Sequence, residues 1–179
     1  MLPVRKRPAP GCMVRADRSP EVEDHDDTYM REAIELARRA LDDDVGGPFG
    51  SVVVKDGQVV GRGRNRVLAD RDPTAHAEVL AVRDACRNLA THDLTGCTVY
   101  ASSEPCPMCL GALLWARVAR IVYAVDRAGA AEVGFDDAFF YEEIERPEAE
   151  RSVEMERLPD PDARRVMETW AERTDRKPY

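Results

Sequence analysis

The chain has 179 residues, five cysteines and a formal charge of −8 at pH 7. That length suits one domain with a single core, and the acidic balance points towards a small, free substrate and away from a nucleic-acid backbone, which is gripped by a basic surface. No apolar run approaches a membrane span, Met1 to Pro10 lacks the apolar stretch of a secretion signal, and an odd cysteine count is not a disulfide framework, so the cytoplasm is the expected compartment.

Residues 1–26 pass from basic (Arg5-Lys6-Arg7) to acidic (Glu21 to Asp27) with few large apolar side chains. They read as a disordered tail, or as the product of an upstream start codon, ahead of one domain over 27–179. Cys12 in that tail has no expected role. Helical spacing of Met30, Ala33, Ile34, Ala37 and Leu41 predicts a helix over Thr28 to Asp43, ended by Gly46-Gly47-Pro48. Ser51 to Lys55 and Gln58 to Gly63 are expected strands, joined through the hairpin signal Asp56-Gly57. A helix over His76 to Leu89, a strand over Thr98 to Ser102, a helix over Pro107 to Arg117 and a strand over Arg120 to Val125 follow. This alternation argues for parallel pairing in a mixed sheet with helices on its faces. Beyond it, Phe139 to Glu145 is expected as a short helix, Ser152 to Leu158 as a weaker strand and Asp162 to Arg173 as a terminal helix. Trp115 is expected in the core.

The chemistry is concentrated in His76-Ala77-Glu78 and Pro105-Cys106-Pro107-Met108-Cys109. One imidazole and two thiolates make three ligands for a zinc ion and leave the fourth tetrahedral position open, which separates a catalytic zinc site from a structural one. Asp72-Pro73-Thr74 predicts a turn with Thr74 as N-cap, so that His76 and Glu78 fall in the first helical turn. Pro107 suits a first helical position, with Cys106 and Cys109 on one face. Both ligand sets then lie at helix N-termini, whose positive ends favour the thiolate. A redox Cys-x-x-Cys pair has no use for a His-x-Glu opening another helix. A structural site needs a fourth ligand, and Cys86 lies about 15 Å along the helix axis from His76 at ~1.5 Å per residue. Geometry does not exclude Cys97 or His92, but neither has ligand spacing.

These residues carry the H-x-E…P-C-x-x-C signature of zinc deaminases, in which the Glu is not a ligand. From Thr28 to Tyr179 the chain resembles the cytidine-deaminase superfamily, and within it the bacterial guanine deaminases. Gly46-Gly47-Pro48-Phe49-Gly50, Asp72 to Glu78 and Glu104 to Ala112 are shared in part with tRNA adenosine deaminases. Gly134-Phe135-Asp136-Asp137 and the closing Lys177-Pro178-Tyr179 point to the guanine enzymes. The resemblance implies an α/β fold, a three-layer α/β/α sandwich around a mixed five-stranded sheet. It implies Zn2+ on His76, Cys106 and Cys109, with Glu78 moving protons and Asp137 as a second carboxylate. Asn65, Phe49, Ala77 and Tyr179 would contact the purine: Asn65 by hydrogen bonding, Phe49 by stacking, Tyr179 by closing the pocket. The implied reaction converts guanine to xanthine and ammonia in a homodimer, in some relatives with exchanged C-terminal segments, and without nucleic-acid or membrane partners.

Several readings stay open at the level of sequence. Asn65 also suits a turn, Phe49 also suits a core, and Asp136-Asp137 also suits a helix cap. Guanosine and 2′-deoxyguanosine are alternative substrates. The acidic charge and the Gly134 to Asp137 stretch speak against tRNA adenosine, and Glu78 speaks against a non-catalytic zinc protein. Ser51 and Ser103 depart from the residues that relatives often carry, Ala and Cys respectively; Ser103 lies near the metal without being a ligand.

Overall fold

Val52, Val53 and Val54 are all buried, a run that only a strand covered on both faces produces. In the computed structural model, which describes residues 20–177, that strand is β1 (Gly50–Lys55), inside a four-stranded sheet. A hairpin joins it to β2 (Gln58–Arg64) through Asp56 and Gly57, both at positive φ (50° and 76°), as the twist of a tight hairpin requires. On its other side β1 pairs antiparallel with β3 (Thr98–Ser103), which pairs parallel with β4 (Arg120–Val125). The order is β2-β1-β3-β4. The expected fifth strand is not found among the described residues. Ser152 to Leu158 carries no strand, and its Val153, Met155 and Leu158 are 70%, 53% and 86% exposed. Alternating apolar residues make a strand only where a sheet edge receives them, and here the segment does not pair with β4.

Successive β1 residues divide the core between two faces. Val52 and Val54 join Tyr100 and Ala33 beneath α1 (Pro20–Asp42), while Val53 and Val99 join Ala81, Ala85 and Leu113 beneath α3 (Ala77–Leu89) and α4 (Pro107–Trp115). This is the expected three-layer sandwich. The buried face of α1 is Ala33, Ala37 and Ala40; Leu41, expected on it, is 62% exposed. Helix α1 also begins earlier than Thr28, and Asp26 receives a two-pronged ion pair from Arg120 and a hydrogen bond from the Tyr100 hydroxyl. Close approach of α3 depends on Gly63, where a Cβ would lie 2.0 Å from the Ala77 carbonyl oxygen.

Two short helices escaped the periodicity reading, α2 (Val67–Asp70) and α5 (Arg127–Glu132), each too brief to show a repeating apolar face. Helix α6 (Ala138–Glu145), a 3-10 turn at Glu148–Glu150 and α7 (Pro161–Glu172) follow. Trp115, expected in the core, is 70% exposed at the end of α4. No helix among the described residues is long and apolar enough to cross a membrane. Cys12 and Tyr179 lie outside the described residues.

Candidate active site

The two metal-binding motifs enter the site by the same device. His76 is the N-cap of α3 and Cys106 the N-cap of α4, both extended in backbone, with Pro107 opening α4 as expected. The N-cap is therefore His76, not Thr74. Thr74 instead closes a turn on Asp72, whose carboxylate accepts from the Thr74 amide at 2.8 Å and its hydroxyl at 2.7 Å. That turn delivers His76 to the helix end and leaves Glu78 inside the first turn, only 7% exposed.

Nδ1 of His76 lies 3.6 Å from Cys106 Sγ and 3.4 Å from Cys109 Sγ. Tetrahedral zinc with ~2.0–2.1 Å bonds to nitrogen and ~2.3 Å bonds to sulfur requires an N···S spacing of about 3.6 Å. The three ligand atoms lie within 4.8 Å of one another, and they are the one such group among the described residues. Cys86 and Cys97 belong to the core beneath α3 and α4 and take no part, nor does His92.

The electrostatics separate the roles. A hydrogen bond with Cys109 and the nearby His76 ring hold the Cys106 thiol well below its ordinary range, while that same bond and burial push Cys109 up. Cys106 raises His76. Burial pushes Glu78 above the usual carboxylate range, and its Oε2 accepts from the Cys109 thiol at 3.4 Å. Asp137 is raised too, first by burial and then by the negative Cys106 sulfur. A small inner cavity of about 60 Å³ is lined by Phe49, His76, Glu78, Ser103, Cys106, Ala130, Phe135 and Asp137. It shares His76, Cys106 and Asp137 with an outer cleft of about 550 Å³ also lined by Met108, Phe140 and Ile144.

Of the residues named from sequence, His76, Cys106, Glu78, Asp137 and Phe49 line this cavity, and Cys109 joins through its cluster with His76 and Cys106. Asn65 and Ala77 do not line it. Ala77 is fully buried at the first position of α3. Asn65 is 4% exposed, and its Oδ1 accepts from Gly47 at 3.2 Å and Val67 at 3.1 Å, stapling the Gly46-Gly47-Pro48 loop to the end of β2. A Cβ on Gly46 would lie 2.1 Å from that oxygen, which explains the glycine. Phe135 was not singled out beforehand. Its ring meets Phe49 edge-on with centroids 4.7 Å apart, and the signal for it was present in Gly134-Phe135-Asp136-Asp137.

Fold and site together define a zinc-dependent deaminase. The model of the cytidine and deoxycytidylate deaminase zinc-binding region matches residues 23–125, and the chain belongs to that family. It is 42% identical over 153 residues to guanine deaminase of Bacillus subtilis, covering 86% of this chain and 98% of that protein. A solved structure of Bacillus subtilis guanine deaminase superposes with a TM-score of 0.82 at 42% identity, again over 86% of this chain and 98% of the other. A guanine deaminase structure from Nitrosomonas europaea is similar at 32% identity and a TM-score of 0.59, over 67% of this chain and 74% of its own.

Proposed function

We propose that this chain catalyses the hydrolytic deamination of guanine to xanthine and ammonia. The observation that carries the reading is a pair of carboxyl groups, Glu78 and Asp137, lining one small cavity together with two aromatic rings and with His76 and Cys106 of the His76-Cys106-Cys109 cluster. High identity to a guanine deaminase along most of the chain supports the choice of base.

His76, Cys106 and Cys109 would hold zinc, which when bound supplies Lewis-acid activation of water for attack on an amidine carbon. Glu78, buried and raised in pKa, takes the proton released as water attacks C2 and returns it to the ring nitrogen. Asp137, raised by burial and lining the same cavity, serves the amino group that departs as ammonia. Phe49 and Phe135 form an aromatic corner that holds the flat base and keeps bulk water away. Asn65 holds the loop that carries Phe49, and the carboxamide is a purine hydrogen-bonding group on this reading. Ala77 contributes through the helix start beside the base, and Tyr179 closes the pocket.

Cytoplasmic location and a homodimer belong to the same proposal. Large apolar side chains stand exposed on the open edge of β4 (Tyr123 46%, Val125 45%) and on α7 (Val166 69%, Met167 72%), as expected of surfaces that a second copy covers, with C-terminal segments exchanged. Ammonia release by zinc-loaded protein, assayed against guanine, guanosine, 2′-deoxyguanosine, cytosine and adenine, tests the substrate. Guanine should be turned over fastest. A preference for either nucleoside would replace the free base in this assignment, and no release from any of the five would end it.

A further inference from the structure

Between the metal-ligand loop and α6 runs a chain of contacts that the reaction above leaves unused. Glu104 stands two residues before the ligand Cys106, and its backbone N–H donates to the Val125 carbonyl at 2.8 Å. Its carboxylate accepts twice from Arg127, from the backbone N–H at 3.0 Å and from Nη2 at 3.0 Å. The Arg127 guanidinium in turn lies over the Tyr141 ring, 3.8 Å from its centroid. Tyr141 sits one helical turn beyond Asp137, with its N–H donating to the Asp137 carbonyl at 3.3 Å.

Asp137 needs such support. Among the described residues α6 packs little against the sheet, α3 or α4, and its Phe140 and Ile144 are 52% and 62% exposed. No core therefore dictates where α6 lies. Two side-chain contacts flank Asp137 instead. Phe135, two residues before, rests on Phe49; Tyr141, four residues after, rests on Arg127. A guanidinium suits this place because one of its nitrogens is held by the Glu104 carboxylate while its flat face lies on a ring, which a lysine ammonium does not reproduce.

We propose that Arg127 is a positioning residue of the deaminase site: locked to the metal-ligand loop by Glu104, it holds Tyr141 and so fixes Asp137 over the cavity. The kinetic part of this rests on the guanine reading; the structural part does not.

The test uses zinc-loaded full chain and compares Arg127→Ala, Arg127→Lys, Tyr141→Leu, Tyr141→Phe and Asp137→Asn with wild type. Zinc content, guanine kinetics and hydrogen exchange of the Ala138–Glu145 amides are read together. Arg127→Ala and Tyr141→Leu should each lower kcat about tenfold or more, since a small misplacement of a reacting group is costly. KM should move less and zinc should stay bound. Amides of α6 should exchange several-fold faster while those of α3 and α4 do not change. Tyr141→Phe keeps the ring face and should restore both readouts, whereas Arg127→Lys should not. In an Asp137→Asn background, Arg127→Ala should add no further loss of kcat. Unchanged α6 exchange in Arg127→Ala would overturn the clamp whatever the substrate. Wild-type kcat in that variant, or the same loss with and without Asp137, would overturn its action through Asp137. If wild type releases no ammonia from guanine yet α6 exchange responds, the substrate assignment falls and the clamp stands.

Discussion

Glu78 and Asn65 are both buried polar side chains, yet they answer to different physics. Glu78 touches the Cys109 thiol but is not a member of the His76-Cys106-Cys109 cluster that could hold a metal. Glu78→Gln should therefore keep zinc and fold while lowering kcat by about 10²–10⁴-fold, the usual worth of a positioned acid/base group. Metal analysis alongside steady-state kinetics checks this, and turnover within a few-fold of wild type would remove the role. In Asn65→Ala, two backbone amides, Gly47 and Val67, lose their acceptor. The variant should lose about 1 kcal/mol of stability by urea unfolding as well as kcat/KM, because two part-buried donors lose their partner. Zinc content should hold. A fall in kcat/KM without any loss of stability would mean that Asn65 acts on the base alone.

At the scale of elements, the site depends on how closely α3 and α4 approach the sheet. Gly63 leaves room for the Ala77 carbonyl of α3, and His76 and Glu78 flank that residue. Gly63→Ala places a methyl group against backbone that has no room to yield, so the helix must lift. The expected result is a lower Tm together with reduced zinc content, read by calorimetry and metal analysis; unchanged zinc would mean that the ligand end of α3 stays seated independently. The other face of the sheet offers a contrast. Arg120 on β4 grips Asp26 of α1, and the pair is part-buried at 30% and 13% exposure. Arg120→Ala should cost ~1–3 kcal/mol by leaving a part-buried carboxylate with a weakened set of partners, yet kcat/KM should remain near wild type because the pair is remote from the cavity lining.

Across the whole molecule, buried surface is unevenly shared. The sheet with α1, α3 and α4 carries nearly all the described core, whereas α6 and α7 contain no buried residue. Such helices gain most of their stability from packing, so surfaces of this kind call for a partner. Sedimentation should give a dimer at micromolar concentration, and a monomer at all concentrations would refute the exchanged-segment proposal. Deleting Lys177 to Tyr179 should leave Tm and zinc nearly unchanged but lower kcat/KM sharply if Tyr179 closes the pocket, since chain ends add little to a core. Wild-type efficiency in the truncated chain would reduce those residues to a solvated end.

The His76-Cys106-Cys109 cluster, the placement of Glu78 beside it and the central strands were legible in sequence because each depends on short-range rules. His76 and Glu78 lie two positions apart and Cys106 and Cys109 three, and a helix start turns such spacing directly into geometry. The hairpin at Asp56-Gly57 follows from local turn chemistry, and a mixed sheet with helices on its faces follows from the alternation of strand and helix patterns; the three-layer sandwich came from the family resemblance. What only the tertiary structure decided involves partners distant in sequence. Phe135 finds Phe49, Arg127 finds both Glu104 and Tyr141, and Asp26 finds Arg120. The same holds for the expectations that the structure corrected. Ser152 to Leu158 has a strand-like pattern but no strand beside it, Leu41 keeps helical spacing but points off the buried face, and Trp115 is large and apolar yet exposed. Apolar character states what a side chain would gain by burial; whether another surface arrives to bury it is settled by the path of the rest of the chain.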